Sequence, residues 1–151
     1  MVLPEFKYHP NPLATGSVVE SNTVCLCCGE SRGYIYTSSV YATKELHNEI
    51  CPWCIADGSA AKKFRATFVD SYPLYQAGIE ESIILEVTTK TPGYDTWQQE
   101  VWLSHCGDAC SFLGDASKDD VLMIANEHIQ VNGAEGMDAD VMREIARRYI
   151  P

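Results

Sequence analysis

The chain has 151 residues, 46% of them hydrophobic and 21% charged, with a formal net charge of −10; this suits one globular domain with a real core. The acidity argues against non-specific nucleic-acid binding, which needs a basic face to displace counterions from phosphates. No apolar run of about 18 residues is present, so no membrane span is expected, and the N-terminus lacks the features of a signal peptide. Seven cysteines is an odd count that fits poorly with an extracellular disulfide framework and points to a reducing cytoplasm.

Residues 4–15 carry Pro4, Pro10, Asn11 and Pro12 and read as an irregular lead-in, with Phe6, Tyr8 and Leu13 available to pack. His9 reads as a surface or hydrogen-bonded residue in preference to a ligand. Gly16 to Val24 suggests a short strand leading into Cys25-Leu26-Cys27-Cys28-Gly29. Gly33 to Tyr41 is rich in aromatic and β-branched residues and predicts a second strand. Thr43 to Ile50 predicts a short helix with Leu46 and Ile50 on one face, delivering Cys51-Pro52-Trp53-Cys54.

The cysteines in these two segments fall as C-x2-C-x22-C-x2-C. Two such hooks can place four thiolates around one ion, as in a closed structural Zn²⁺ site, so Cys25, Cys28, Cys51 and Cys54 are the expected ligands. Gly29 would let the chain turn with positive φ and aim amides at the sulfurs. Cys27 is expected to be a bystander whose side chain points away from the ion. Two other readings compete: buried apolar cysteines, or a redox dithiol at Cys51 and Cys54, which would need a βαβ frame.

After a turn at Asp57-Gly58-Ser59, a helix is expected from Ser59, broken at Tyr72-Pro73. Ile79 to Thr91 predicts an amphipathic helix on a stripe of Ile79, Ile83, Ile84 and Val87, ended by Pro92-Gly93. Trp97 to Ser104 alternates like a strand partly covered on both sides. Ser117 with Asp120 predicts a capping box opening a helix that ends near Asn132-Gly133, and a last helix runs from about Asp138 to Tyr149. The fold class is therefore α+β: a small antiparallel sheet with a zinc-ribbon-like four-cysteine site and several packed helices. It forms a single domain, with a zinc-binding lobe over about 16–60 and a helix-rich body over about 61–151.

His105, Cys106, Asp108 and Cys110 crowd four metal-ligating or nucleophilic groups into six residues. They form a possible second site, metal- or thiol-based and helped by Glu100. Against this, His105 and Cys106 would point to opposite faces of a strand. The plainer reading is a turn, with Gly107 at the bend and Asp108 capping a following helix.

Several blocks together resemble the CbrC family of bacterial colicin-tolerance proteins. They are Phe6-Lys7-Tyr8-His9-Pro10, Thr15-Gly16-Ser17, Cys25-Leu26-Cys27-Cys28-Gly29, Gly33-Tyr34-Ile35-Tyr36, Cys51-Pro52-Trp53-Cys54-Ile55-Ala56-Asp57-Gly58, Thr91-Pro92-Gly93, Trp97-Gln98-Gln99-Glu100, Trp102 and His105-Cys106-Gly107-Asp108. The resemblance covers residues 5–115 and implies a small cytoplasmic bacterial protein linked to protection against colicin-type toxins. With the acidity, it suggests a non-enzymatic immunity-type protein that binds a basic nuclease domain directly. The alternative is an enzyme built on the His105 turn. Candidate acidic contacts are Glu80, Glu81, Asp115, Asp119, Asp120, Glu135, Asp138 and Asp140.

Overall fold

In the computed structural model, residues 2–123 are described. The predicted helices beyond residue 123, and Glu135, Asp138 and Asp140, lie outside them. The chain divides into two compact units, Met1–Gly114 and Asp115–Pro151. In chain order the elements are β1 (Val18–Glu20), β2 (Tyr34–Tyr36), α1 (Pro52–Ala56), α2 (Ser59–Phe64), α3 (Tyr72–Gln76), α4 (Glu81–Lys90), β3 (Ser104–His105) and β4 (Asp108–Ala109). The fold is α+β, with two small antiparallel sheets, β1–β2 and β3–β4.

In the first unit, β1 and β2 pair with Val19 opposite Ile35. The second strand is extended in effect by two further bridges, Tyr36 to Ile50 and Tyr41 to Thr67. The first of these displaces the helix predicted over 43–50. Leu46 is buried as its spacing suggested, but Asn48 takes φ 57°, which breaks a helix. The Ile50 carbonyl accepts from the Tyr36 amide at 2.9 Å, and the Glu49 carbonyl from the Leu26 amide at 2.8 Å. Cys51 thus arrives on extended backbone.

Tyr72-Pro73 opens α3 instead of ending a helix, because proline suits the first turn, where its missing N–H is not needed. The preceding helix α2 has already stopped, with Arg65 in the left-handed conformation. Helix α4 starts two residues later than its apolar stripe, and it buries Ile84, Val87 and Thr88.

Two apolar clusters fill the unit. One gathers Phe6, Val18, Tyr36, Leu46, Ile50, Ile55, Phe68 and the cysteines Cys25, Cys51 and Cys54. The other gathers Tyr8, Val69, Leu74, Ile84, Val87 and Trp102. Phe68 belongs to the first cluster and Val69 to the second. Leu13, expected to pack, is exposed.

The segment 97–103 alternates as predicted, but only one face is covered. Glu100 and Trp102 are buried, whereas Trp97, Val101 and Leu103 are exposed. It meets no strand partner until Ser104 pairs with Ala109. In the second unit, the capping box is present. The Asp120 amide donates to Ser117 Oγ at 3.2 Å, and the Ser117 amide to Asp120 Oδ2 at 2.8 Å; a helix runs from there through the last described residues, 118–123.

His9 is fully buried. Its Nδ1 lies 2.7 Å from the Pro92 carbonyl and its Nε2 2.7 Å from Thr15 Oγ1. The carbonyl accepts a hydrogen bond from Nδ1–H, leaving Nε2 to accept from the threonine hydroxyl in the neutral ring. Burial lowers the pKa of His9 below its ordinary value of 6.5, with the Pro92 carbonyl opposing. The unfolded chain therefore binds a proton that the folded one refuses. Stability is full above pH 6.5 and falls as the pH drops from there toward the folded-state pKa. Urea unfolding of the wild type should lose up to about 1.4 kcal/mol per pH unit over that window relative to His9→Gln. Parallel pH profiles of the two proteins would refute this role.

Candidate metal centre

The first hook is a tight turn built by local hydrogen bonds. The Gly29 amide donates to the Cys25 carbonyl at 2.8 Å, and Gly29 takes φ 76°, open to glycine at no steric cost. The second hook forms because Cys51 precedes α1 with extended φ and ψ, and Pro52 starts the helix. One helical turn then brings Cys54 back beside Cys51.

The four expected ligands converge. The Sγ atoms of Cys25 and Cys54 are 3.9 Å apart, those of Cys28 and Cys51 3.9 Å, and those of Cys51 and Cys54 3.5 Å. All four sulfurs lie within 4.8 Å of one another. A tetrahedron with metal–sulfur bonds of about 2.3 Å has sulfur–sulfur edges of about 3.8 Å, so the spacing matches a thiolate cage. The four cysteines could hold one metal ion. Cys25, Cys51 and Cys54 are buried and Cys28 is exposed.

Amides are aimed at the deepest sulfur. Cys25 Sγ accepts from the Cys27 amide at 3.4 Å and from the Cys51 amide at 3.2 Å. A hydrogen bond from the Cys51 thiol, with the surrounding amides, pulls the Cys25 thiol down to about 4. Donating to that sulfur raises the Cys51 thiol strongly, and burial adds to this; burial pushes Cys54 up to about 12. Among the three buried sulfurs, Cys25 is thus the one favoured as thiolate, while Cys51 and Cys54 are held as thiols. A divalent cation at the centre supplies the charge that lets all four become thiolates.

The structure also places groups around the cage that spacing did not suggest. Lys63 Nζ donates to the carbonyls of Leu26 at 3.1 Å and Cys27 at 2.7 Å, clamping the first hook onto α2. The Arg32 guanidinium stands over the Trp53 ring, 5.7 Å from its centroid. Cys27 takes part through its amide, while its Sγ lies 3.6 Å from Ser59 Oγ. The dithiol reading of Cys51 and Cys54 does not account for two further sulfurs at 3.9 Å.

The His105 cluster is arranged differently. Cys106 and Gly107 take φ 52° and 78°, the two positive values that a two-residue type I′ hairpin needs. Asp108 caps no helix: it sits in β4 opposite His105. Its Oδ1 accepts from the Tyr8 hydroxyl at 2.7 Å and its Oδ2 from Lys7 Nζ at 2.9 Å. These bonds, Tyr8 first, lower its pKa. Trp102 Nε1 donates to the Cys110 carbonyl at 2.9 Å, so the turn is tied to the buried indole. Glu100 Oε1 accepts from the Tyr41 hydroxyl at 2.6 Å and the Asp70 amide at 3.3 Å. Among the described residues, the only set of three or more ligand atoms close enough for a metal is the four-cysteine one. No described helix is long and apolar enough to cross a membrane.

Residues 3–148 match UPF0167, an uncharacterised protein family, and the chain belongs to that family. It is 52% identical over 136 residues to UPF0167 protein PA1536 of Pseudomonas aeruginosa, covering 89% of this chain and 72% of that protein. It is 50% identical over 119 residues to UPF0167 protein Mb2317 of Mycobacterium bovis and UPF0167 protein MT2352 of Mycobacterium tuberculosis, covering 79% of this chain and 64% of each relative. These matches place the chain among bacterial proteins. They also correct the resemblance to the CbrC family: the matching family is UPF0167, and neither it nor these relatives carry the CbrC name. No solved structure matches the chain.

Proposed function

We propose that this member of the UPF0167 family is a zinc-stapled protein-binding module that works in a reducing cytoplasm and docks a basic protein partner. The observation that carries the reading is the closed set of four cysteines, three of them buried. A site with four protein ligands leaves no position for water or substrate, which is the pattern of a structural ion. Zinc is the ion best suited to four thiolates in tetrahedral array, with iron the alternative that the same softness admits. The net charge of −10 steers association with a positively charged partner. Glu80, Glu81, Asp115 and Asp119 are exposed and are candidates for that contact. The colicin link came with the corrected resemblance and carries no weight here. A basic nuclease domain is one partner that the charge would suit, and histone-like or ribosomal proteins are others.

The test uses the full chain. Expected results are about one zinc per chain by elemental analysis and a basic protein that co-purifies from the native host. The affinity of the purified pair should fall about tenfold or more between low and high salt, since screening weakens steering and rim charges. A partner that is acidic, or an affinity indifferent to salt, would sink the proposal.

A further inference from the structure

We propose that a cleft between the end of α2 and the last turn of α4 binds a compact phosphate-bearing small molecule. The cleft measures about 420 Å³ and is lined by Lys62, Arg65 and Lys90, with Thr67 and Thr89 beside them. Three of the chain's 11 basic residues thus meet at one concavity in a protein of net charge −10. Among the described residues, Lys90 pairs at long range with Glu86, at 3.7 Å. Among the described residues no ion pair engages Lys62 or Arg65. Asp57 borders the cleft too, its Oδ1 accepting from the Ser59 amide of its own turn at 2.8 Å, so three cations face one carboxylate there.

A second observation concerns the backbone. Arg65 caps α2 with φ 50° and ψ 47°, a left-handed conformation where glycine or asparagine is the unstrained choice. A strained position held by a long cation points to a use for the side chain beyond closing the helix. The Lys90 stem lies close to Gly58: a β-carbon there would stand 3.4 Å from its Cε and 3.6 Å from its Cγ.

The chemistry selects the ligand. A guanidinium fork beside two ammonium groups fits an oxyanion carrying more than one charge, as a phosphate does. The size of the cleft is that of a small-molecule site. A long polyanion would meet the repulsion of the whole acidic chain, whereas a small one feels chiefly the cations within about a Debye length of 8–10 Å.

The experiment titrates inorganic pyrophosphate into the intact chain at about 0.1 M salt, following backbone amides by ¹H–¹⁵N spectra. Saturable shifts confined to the surroundings of Gly58, Arg65, Thr67 and Thr89 are expected. Arg65→Gly removes the guanidinium while easing the backbone, so it should fold and bind about tenfold or more weakly. Lys62→Ala should weaken binding as well, and serves alone if the glycine variant fails to fold. Lys44→Ala, outside the cleft, should bind as the wild type does. Absent or non-saturating shifts overturn the proposal, as does unchanged affinity in the Arg65 or Lys62 variant. A single-stranded oligonucleotide binding more tightly than pyrophosphate overturns the small-molecule assignment.

Discussion

Replacing Cys51 with serine should abolish stoichiometric metal binding and leave the first unit unfolded at 25 °C. Cys51 is 1% exposed and stands where three parts meet. Ile50 before it is bonded to Tyr36 at the end of β2, Pro52 after it begins α1, and its sulfur lies 3.9 Å from Cys28 and 3.5 Å from Cys54. An ion held there couples the first hook, the strand and the helix in one step. Structural zinc sites contribute about 10–16 kcal/mol of apparent binding free energy, against about 5–15 kcal/mol for the total stability of a typical domain. Loss of the ion therefore exceeds what the remaining core can offset. The elements around the site are short, five residues in α1 and three in each strand, too short to persist without tertiary support.

Elemental analysis and near-ultraviolet circular dichroism would read the two effects. A strong chelator acting on the wild type should reproduce the loss, and added zinc should reverse it. Cys27→Ser is the control. Its amide donates to Cys25 Sγ and its sulfur is not among the four that converge, so metal content should hold and stability should shift by no more than about 1 kcal/mol. A Cys51→Ser protein that kept its metal and its melting temperature would show that the four sulfurs are merely neighbours.

The cage was legible in the sequence because its logic is local. Each hook brings two sulfurs together within one turn, and only their meeting required the fold. The stripe of α4 and the capping box at Ser117 and Asp120 were legible for the same reason. Segment 43–50 was not, because Leu46 and Ile50 have helical spacing while the bonds that decide the backbone come from Tyr36 and Leu26, far away in sequence. In 97–104 the alternation was read correctly and the extent of its covering was not: which face is covered depends on Tyr41 and Asp70 reaching Glu100. The Lys63 clamp and the Lys62, Arg65 and Lys90 cleft leave no periodic trace. The Cys106-Gly107 dipeptide did carry a signal, since X-Gly between short extended runs is a hairpin turn. The bend expected at Gly107 is there, but Asp108 pairs back across it with His105 instead of capping a helix.

Gly93→Ala should destabilise the first unit by about 3 kcal/mol or more, near the upper end of what overpacking a core costs. This glycine is not needed for positive φ. It is needed for room: a β-carbon on Gly93 would stand 2.1 Å from the carbonyl oxygen of Phe68 and 3.0 Å from the Tyr36 hydroxyl. Neither neighbour can yield easily. The Phe68 amide donates to the Thr88 carbonyl at 2.8 Å, which ties it to α4. The buried Tyr36 hydroxyl donates to the Ser39 carbonyl at 2.8 Å and accepts from the Gly93 amide at 3.2 Å. Moving the Gly93 backbone outward would break that last bond and leave a buried donor unpaired, at a cost of about 1–3 kcal/mol. It would also disturb Pro92, whose carbonyl holds His9. Phe68 belongs to the cysteine-bearing cluster and Val69 to the other, so the disturbance falls where the two join. Gly78→Ala is the matched comparison: Gly78 has φ 69° and nothing within 4 Å of a new β-carbon, so its cost is the left-handed strain alone, about 1–2 kcal/mol. Urea midpoints of the two variants should differ in that order, and a Gly93→Ala protein as stable as Gly78→Ala would mean that the two clusters can slide apart at this point without penalty.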